Sequence, residues 1–359
     1  MKKYSFDMKK AIAAAVLGTT MIAAAGCGSS GTENSSGNGG NGSGESGGNG
    51  EGSSQETTEM VAATINPEGS LLANALQALA DEIETRSDGA IEFQVATGGQ
   101  LGNASSLYQS VISGDIDMIY SDSGWFSEHH PEFDALGTNY LFEGEEHYKE
   151  VVNSEDSLQY FEDLLVEEPG LKTVMYAGGL ERNIISTFPI ESIEDLQGKT
   201  MRSKNESTEL EWWRNLGANP TAVAFDEVYT ALQTGVVEGS QNSMDAMIEQ
   251  RFGEVADYVA RTQHNLTLGF VVMNNEQFDS LDSEMQDVVM NAAQDVQEEY
   301  INKAFEKSEE DVQTLKDEFG VEFTNPDREA FIEASRQQLQ AIAEEHGIQD
   351  EIDEIFGTQ

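Results

Sequence analysis

The chain has 359 residues, 38% of them hydrophobic, which is long and apolar enough for two domains with buried cores. Against 19 Lys plus Arg stand 66 Asp plus Glu, a formal charge of −47, and this balance weighs heavily against nucleic acid or anionic membrane surfaces as partners. One cysteine, Cys27, leaves no internal disulfide and no cysteine-based zinc site.

The first stretch reads as a targeting signal. Lys2, Lys3, Lys9 and Lys10 form a basic region, and residues 11–25 are an apolar run too short to span a membrane comfortably as a mature helix. Ala24-Ala25-Gly26-Cys27 is similar to a bacterial lipobox, in which cleavage precedes the cysteine and the thiol is acylated, although Ala24 replaces the usual Leu. Residues 1–26 are therefore expected to be a lipoprotein signal peptide. Residues 27–59, the lipidated Cys27 followed by Gly, Ser, Asn and Glu, are expected to be a flexible tether.

In the body, residues 60–65 predict a strand, and Ser70 predicts the cap of a helix with Leu72, Ala75, Leu76, Leu79 and Ile83 on one face. Ile91, Phe93 and Val95 alternate as in a half-buried strand, a helix is expected near 104–112, and residues 116–120 predict a third strand. This succession argues for an open, largely parallel α/β sheet, whose ligands gather at the carboxyl ends of strands, where Asp122, Ser123 and Trp125 fall. A helix is expected over 145–166 and a strand over 171–177, with Gly178-Gly179 as a candidate hinge.

Residues 182–207 hold two of the chain's eight arginines, Arg182 before NIIST and Arg202 closing GKTMR. Between them Ser192 to Asp195 predicts a capping box and a short helical turn closed by Gly198. Two readings stand for these arginines: a pair of surface salt bridges, or guanidinium groups at neighbouring strand ends converging on a planar anion such as a carboxylate. A helix is expected over 206–216, with one of Trp212 and Trp213 in the core and the other reaching a cleft. A short strand at 221–224, a helix opened by Phe225-Asp226 and closed by Gly235, and strands at 236–239 and 266–274 complete a second α/β unit. The longest periodic segment, 283–319, predicts one helix capped at Ser283, on the order of 54 Å long at 1.5 Å per residue. A coiled-coil arm is its alternative reading, but the seam drifts from strict heptads.

Enzyme chemistry has little footing. The five His lack metal-ligand spacing, and His129-His130 reads as a surface loop. No nucleophile elbow, P-loop or dinucleotide fingerprint occurs. No cofactor and no metal are expected.

Five stretches, GGQLG (98–102), GDIDM (114–118), DLQGKTMR (195–202), LGANPT (216–221) and FDEVYTALQTGVVEG (225–239), resemble in order and spacing the solute-binding proteins of TRAP (tripartite ATP-independent periplasmic) transporters. The resemblance covers nearly the whole body. It implies an α/β, two-lobed, periplasmic-binding-protein-like (Venus flytrap) fold with a long helix spanning both lobes. The chain would then divide into 60–179 (first part of lobe I), 180–266 (lobe II), 267–282 (return to lobe I), 283–319 (connecting helix) and 320–359 (C-terminal helices). By position, Arg202 resembles the family arginine that makes a two-point salt bridge with the ligand carboxylate, and Arg182 its helper. Asn242, beside Gln241, resembles the residue that orients the same carboxylate, and Phe225 an aromatic that shapes the cleft. Asp122 and Trp125 fall where relatives contact the distal part of the ligand. Ser240-Gln241-Asn242-Ser243 replaces the family's Gln-Glu-Asn-Pro, Thr138-Asn139-Tyr140 replaces Leu-Pro-Tyr, and Trp125 stands where sialic-acid binders place an Arg, which argues against sialic acid.

The expected protein is an extracytoplasmic receptor, lipid-anchored through Cys27 to the outer face of the cytoplasmic membrane. It would deliver a small organic acid to the permease subunits of a TRAP transporter and perform no catalysis. The alternatives are the receptor of an ABC importer, or a secreted hydrolase or lyase acting on acidic sugars.

Overall fold

In the computed structural model, residues 57–154, 156–205 and 207–356 are described. The expected signal peptide, Cys27 and residues 28–56 of the expected tether lie outside them, and the last two residues assigned to that tether, Thr58 and Glu59, belong instead to the first strand. The first half of the body runs β1 (Thr58–Ala63), α1 (Leu71–Arg86), β2 (Ile91–Ala96), α2 (Ala104–Ser113) and β3 (Met118–Asp122). Ser70 caps α1, its hydroxyl oxygen accepting from the Ala73 N–H at 3.2 Å.

The single helix expected over 145–166 is two, α3 (Glu145–Val152) and α4 (Gln159–Glu167). Between them the Ser154 hydroxyl accepts from the N–H groups of Asp156 and Ser157, each at 3.2 Å, a local bond that competes with helix continuation. The strand expected to stop before Gly178 continues as β4 (Leu171–Ser186), so LKTVMYA and NIIS are one strand.

The chain continues through β5 (Thr200–Ser203), α5 (Ser207–Asn215), β6 (Asn219–Ala222), α6 (Val228–Thr234), β7 (Gly239–Ser243) and α7 (Met244–Glu249). Next come β8 (Tyr258–Asn274), α8 (Asn275–Ser280), α9 (Ser283–Phe319), β9 (Glu322–Thr324), α10 (Glu329–His346) and α11 (Gln349–Phe356). The extent of α9 is as expected, but its cap is Asp282, whose carboxylate accepts from the Met285 N–H at 3.0 Å.

The nine strands of the described residues form one sheet, in the order β2-β1-β3-β8-β4-β7-β5-β6 with β9 beside β8. It is mixed rather than largely parallel. β2, β1 and β3 are parallel at one end and β7, β5 and β6 at the other, while the pairs β3 to β8, β8 to β4 and β4 to β7 are antiparallel. The two parallel groups lie in separate lobes, and β4 and β8, each roughly 50 Å long at 3.3 Å per residue, run through both. Their pairing shifts register between Gly178 and Glu181, at the position expected for a hinge. Glycine is required there: a Cβ on Gly178 would lie 1.9 Å from the Thr267 carbonyl oxygen, and Gly179 has φ +82°.

Side-chain alternation gives each half of the sheet two packed faces. In the first lobe Phe270 and Val272 point to one core and Val271 and Met273 to the other. In the second, Ile184 and Ala260 face one core and Ile185 and Val259 the other. α9 contributes Val289, Ala292 and Val296 to the first lobe and Val312 and Leu315 to the second, so it spans both. α10 does the same on another face, with Phe331 in the second lobe and Leu339 and Ala343 in the first. The fold is the two-lobed α/β architecture.

Candidate functional site

A cleft of about 1090 Å³ is lined by Asp122 and Trp125 from the end of β3 and the turn after it, and by Arg182, Arg202, Phe225 and Asn242. Six of the seven ligand-site residues expected from the sequence therefore share one surface. The order β4-β7-β5 explains the convergence: Arg182, Asn242 and Arg202 come from three adjacent strands, about 4.8 Å apart. Arg202 is 3% exposed, and its Nε donates to the Val223 carbonyl at 3.0 Å. Asn242 is buried, with its side-chain oxygen accepting from the Ser240 hydroxyl at 2.7 Å. Phe225 is half-buried and meets Phe252 edge-on at 6.3 Å.

Gln241 lies elsewhere. It lines an inner chamber of about 50 Å³ that shares Asp122, Arg182 and Lys204 with the cleft. Its Oε1 accepts from Arg182 Nε at 2.6 Å and its carbonyl accepts from an Arg182 terminal nitrogen at 3.3 Å, so Gln241 orients the arginine. The same Oε1 lies 3.2 Å from His264 Nε2. An amide oxygen only accepts, so His264 donates from Nε2, and its Nδ1 accepts from the Thr262 hydroxyl at 2.7 Å. Burial, helped by Arg182, holds His264 well below its ordinary pKa, and the ring stays neutral at pH 7. Trp212 stacks on that ring at 4.8 Å. Both tryptophans are buried, and Trp212 reaches only the wall of the inner chamber.

Lys204 and Glu209 are additions that sequence reasoning missed. Lys204 Nζ lies 2.8 Å from Asp122 Oδ2, and Glu209 accepts from the Lys204 backbone N–H at 3.2 Å. The signal for Lys204 was present: two residues beyond Arg202, it falls on the same side of an extended chain. Burial pushes the Asp122 carboxyl up, but Lys204, Arg182 and the Tyr120 hydroxyl together hold it below the usual range. Among the described residues no group of three or more His, Cys, Asp or Glu side chains is placed to hold a metal ion. No described helix is long and apolar enough to cross a membrane.

A buried arginine beside a second arginine and an amide, inside a two-lobed cleft, is an arrangement for binding an organic anion. Residues 62–346 match the profile of the DctP family, bacterial extracellular solute-binding protein, family 7. The chain belongs to this family. The sialic acid-binding periplasmic protein SiaP of Vibrio cholerae is 29% identical over 266 residues, covering 74% of this chain and 82% of SiaP. A TRAP periplasmic solute-binding protein of Sulfitobacter sp. NAS-14.1, solved with bound α-D-taluronate, superposes with a TM-score of 0.78 at 27% identity, covering 84% of this chain and 97% of that one. Another from Roseobacter denitrificans OCh 114, with bound L-galactonate, gives a TM-score of 0.76 at 27% identity and covers 84% and 99%. Membership of the TRAP solute-binding family makes the protein an extracytoplasmic receptor for a small organic acid that serves a TRAP permease, and not an enzyme. The ABC-importer and hydrolase readings fall with that assignment.

Proposed function

We propose that the ligand is a six-carbon sugar acid whose carboxylate is held by Arg202 and Arg182, with Asn242 between them. The convergence of these three side chains from β5, β4 and β7 on one cleft wall carries this reading. Arg202 takes the carboxylate in a two-point pair, for which the planar guanidinium is suited, and Arg182, oriented by Gln241, adds a second contact. Phe225 and Trp125 supply apolar surface for the sugar ring, and Asp122 meets its distal part. The bound taluronate and galactonate of the two relatives support a sugar acid, and Trp125 speaks against sialic acid.

A thermal-shift screen over uronates, aldonates, C4-dicarboxylates, aromatic acids and sialic acid tests the ligand class, since a ligand bound only by the folded state raises stability by RT ln(1 + [L]/Kd). The largest upward shift is expected from a uronate or aldonate. A dicarboxylate or sialic acid giving the largest shift would overturn the sugar-acid reading.

The anchor is part of the same proposal: Cys27 is acylated after cleavage behind Gly26, and the Gly- and Ser-rich tether gives the receptor reach to its permease. Cys27→Ser is expected to move the protein from the membrane fraction to the soluble fraction. Continued membrane association of a processed variant would refute the lipid anchor.

A further inference from the structure

Asp122 ends β3 in the first lobe, and Lys204 follows β5 in the second. Their side chains, 26% and 24% exposed, meet at 2.8 Å and line both the cleft and the inner chamber, so the pair stands where the two spaces join. Asp122 Oδ1 also accepts from the buried Tyr120 hydroxyl at 3.2 Å. Behind the pair, Gln338 is 3% exposed and donates from Nε2 to the Thr208 carbonyl at 2.8 Å, while its Oε1 has no hydrogen-bond partner among the described residues. The chamber of about 50 Å³ has the size of roughly three or four waters, or of a hydroxymethyl end of a ligand.

We propose that the Asp122 to Lys204 pair, backed by the inner chamber, determines specificity by reading the hydroxyls at the distal end of the ligand, so that the receptor takes polyhydroxylated monocarboxylates and rejects diacids and unhydroxylated acids. The inference rests on the sugar-acid reading and assigns Lys204 a role within it. The pair is charge-neutral and already satisfied. A hydroxyl both donates and accepts, so one can donate to Asp122 and accept from Lys204 without breaking the pair. A second ligand carboxylate offers only acceptors. It would face Asp122 and the buried Glu209 of the chamber wall, and pairing it with Lys204 would draw that ammonium away from Asp122. A methylene chain would displace water from the pair and from Gln338 Oε1 without replacing its hydrogen bonds.

The test is calorimetry with L-galactonate, D-glucuronate, adipate and hexanoate on the parent protein, Asp122→Asn and Lys204→Met. For the parent, the better sugar acid is expected to bind at least about a hundredfold tighter than adipate or hexanoate. Each variant is expected to lose about tenfold or more for the sugar acid while hexanoate changes by less than about threefold, and Asp122→Asn is expected to improve adipate. A purely structural role would weaken all four ligands together. An Asp122→Asn variant that keeps the sugar acid to adipate ratio within about threefold of the parent overturns the inference and leaves the sugar-acid reading standing. Because the parent ratio needs no variant, a parent that binds adipate as tightly as a sugar acid also overturns it. A parent that binds neither sugar acid sinks the reading and the inference together.

Discussion

In the proposed clamp, Arg202 and Arg182 approach the same ligand group from different surroundings. Arg202 is almost fully buried, so the ligand carboxylate paired with it leaves water, and each charge-assisted bond is worth about 1.5–3 kcal/mol. Arg182 is half-buried, with its Nε held by Gln241, which leaves it a helper. Arg202→Ala is expected to weaken sugar-acid binding by on the order of a thousandfold or more, because the ligand charge would be stranded in an acidic protein. Arg202→Lys should recover only part, a point charge being unable to form the fork. Arg182→Ala should cost about 1–2 kcal/mol. If calorimetry places Arg202→Ala within about tenfold of the parent, or makes Arg182→Ala the more damaging, the clamp is misassigned. At this scale the meeting of both arginines on one cleft was legible because cations are scarce in the chain. Lys204 was not assigned, because its partner Asp122 is 82 residues away and depends on how the lobes face each other. The part played by Gln241 depends on β7 lying beside β4, which no local pattern reveals.

The helix α9 was legible over its whole length because apolar residues recur at helical spacing up to Gly320, which adopts the left-handed conformation that closes it. The long strands β4 and β8 were not, because Gly178-Gly179 and the polar RTQHN stretch (261–265) interrupt the apolar pattern where each strand passes between lobes. The contact of α9 with α7 holds a buried acid. Asp311, 3% exposed, lies 2.5 Å from Lys307 Nζ and near the buried Asp245. Burial pushes the Asp311 carboxyl up to about 6, against the pull of Lys307 and with a further push from Asp245. The folded state then holds this proton more tightly than the unfolded chain. The associated stability is complete below about pH 4 and is lost as pH rises through about 6. Asp311→Asn, which keeps the shape of the protonated acid, is expected to raise stability at pH 8 by about 1–3 kcal/mol, with little difference from the parent at pH 4. Lys307, with 34% of its side chain exposed, can turn to water. Thermal melts at the two pH values check the sign, and a variant less stable than the parent at pH 8 would contradict the account.

For the whole molecule, the formal charge of −47 repels an anionic ligand at a distance, but at physiological ionic strength that field decays within about 8 Å. The cleft is lined by the cations Arg202, Arg182 and Lys204 together with the acids Asp122, Glu128, Asp134 and Asp226, and the Lys204 charge is offset by Asp122. The acidic exterior therefore leaves capture to short-range contacts made by both lobes. The two-lobed form was legible from the repeated α/β pattern and the family motifs. The single continuous sheet was not, since strand order is set by long-range pairing. The central claim is that this receptor recognises a sugar through its carboxylate. Calorimetric titration of the parent protein with D-glucuronate and L-galactonate, beside the neutral sugars D-glucose and D-galactose, tests it most directly. The account predicts that at least one acid binds and that its neutral counterpart is weaker by about a thousandfold or undetectable. A neutral sugar binding within about tenfold of its acid would contradict it.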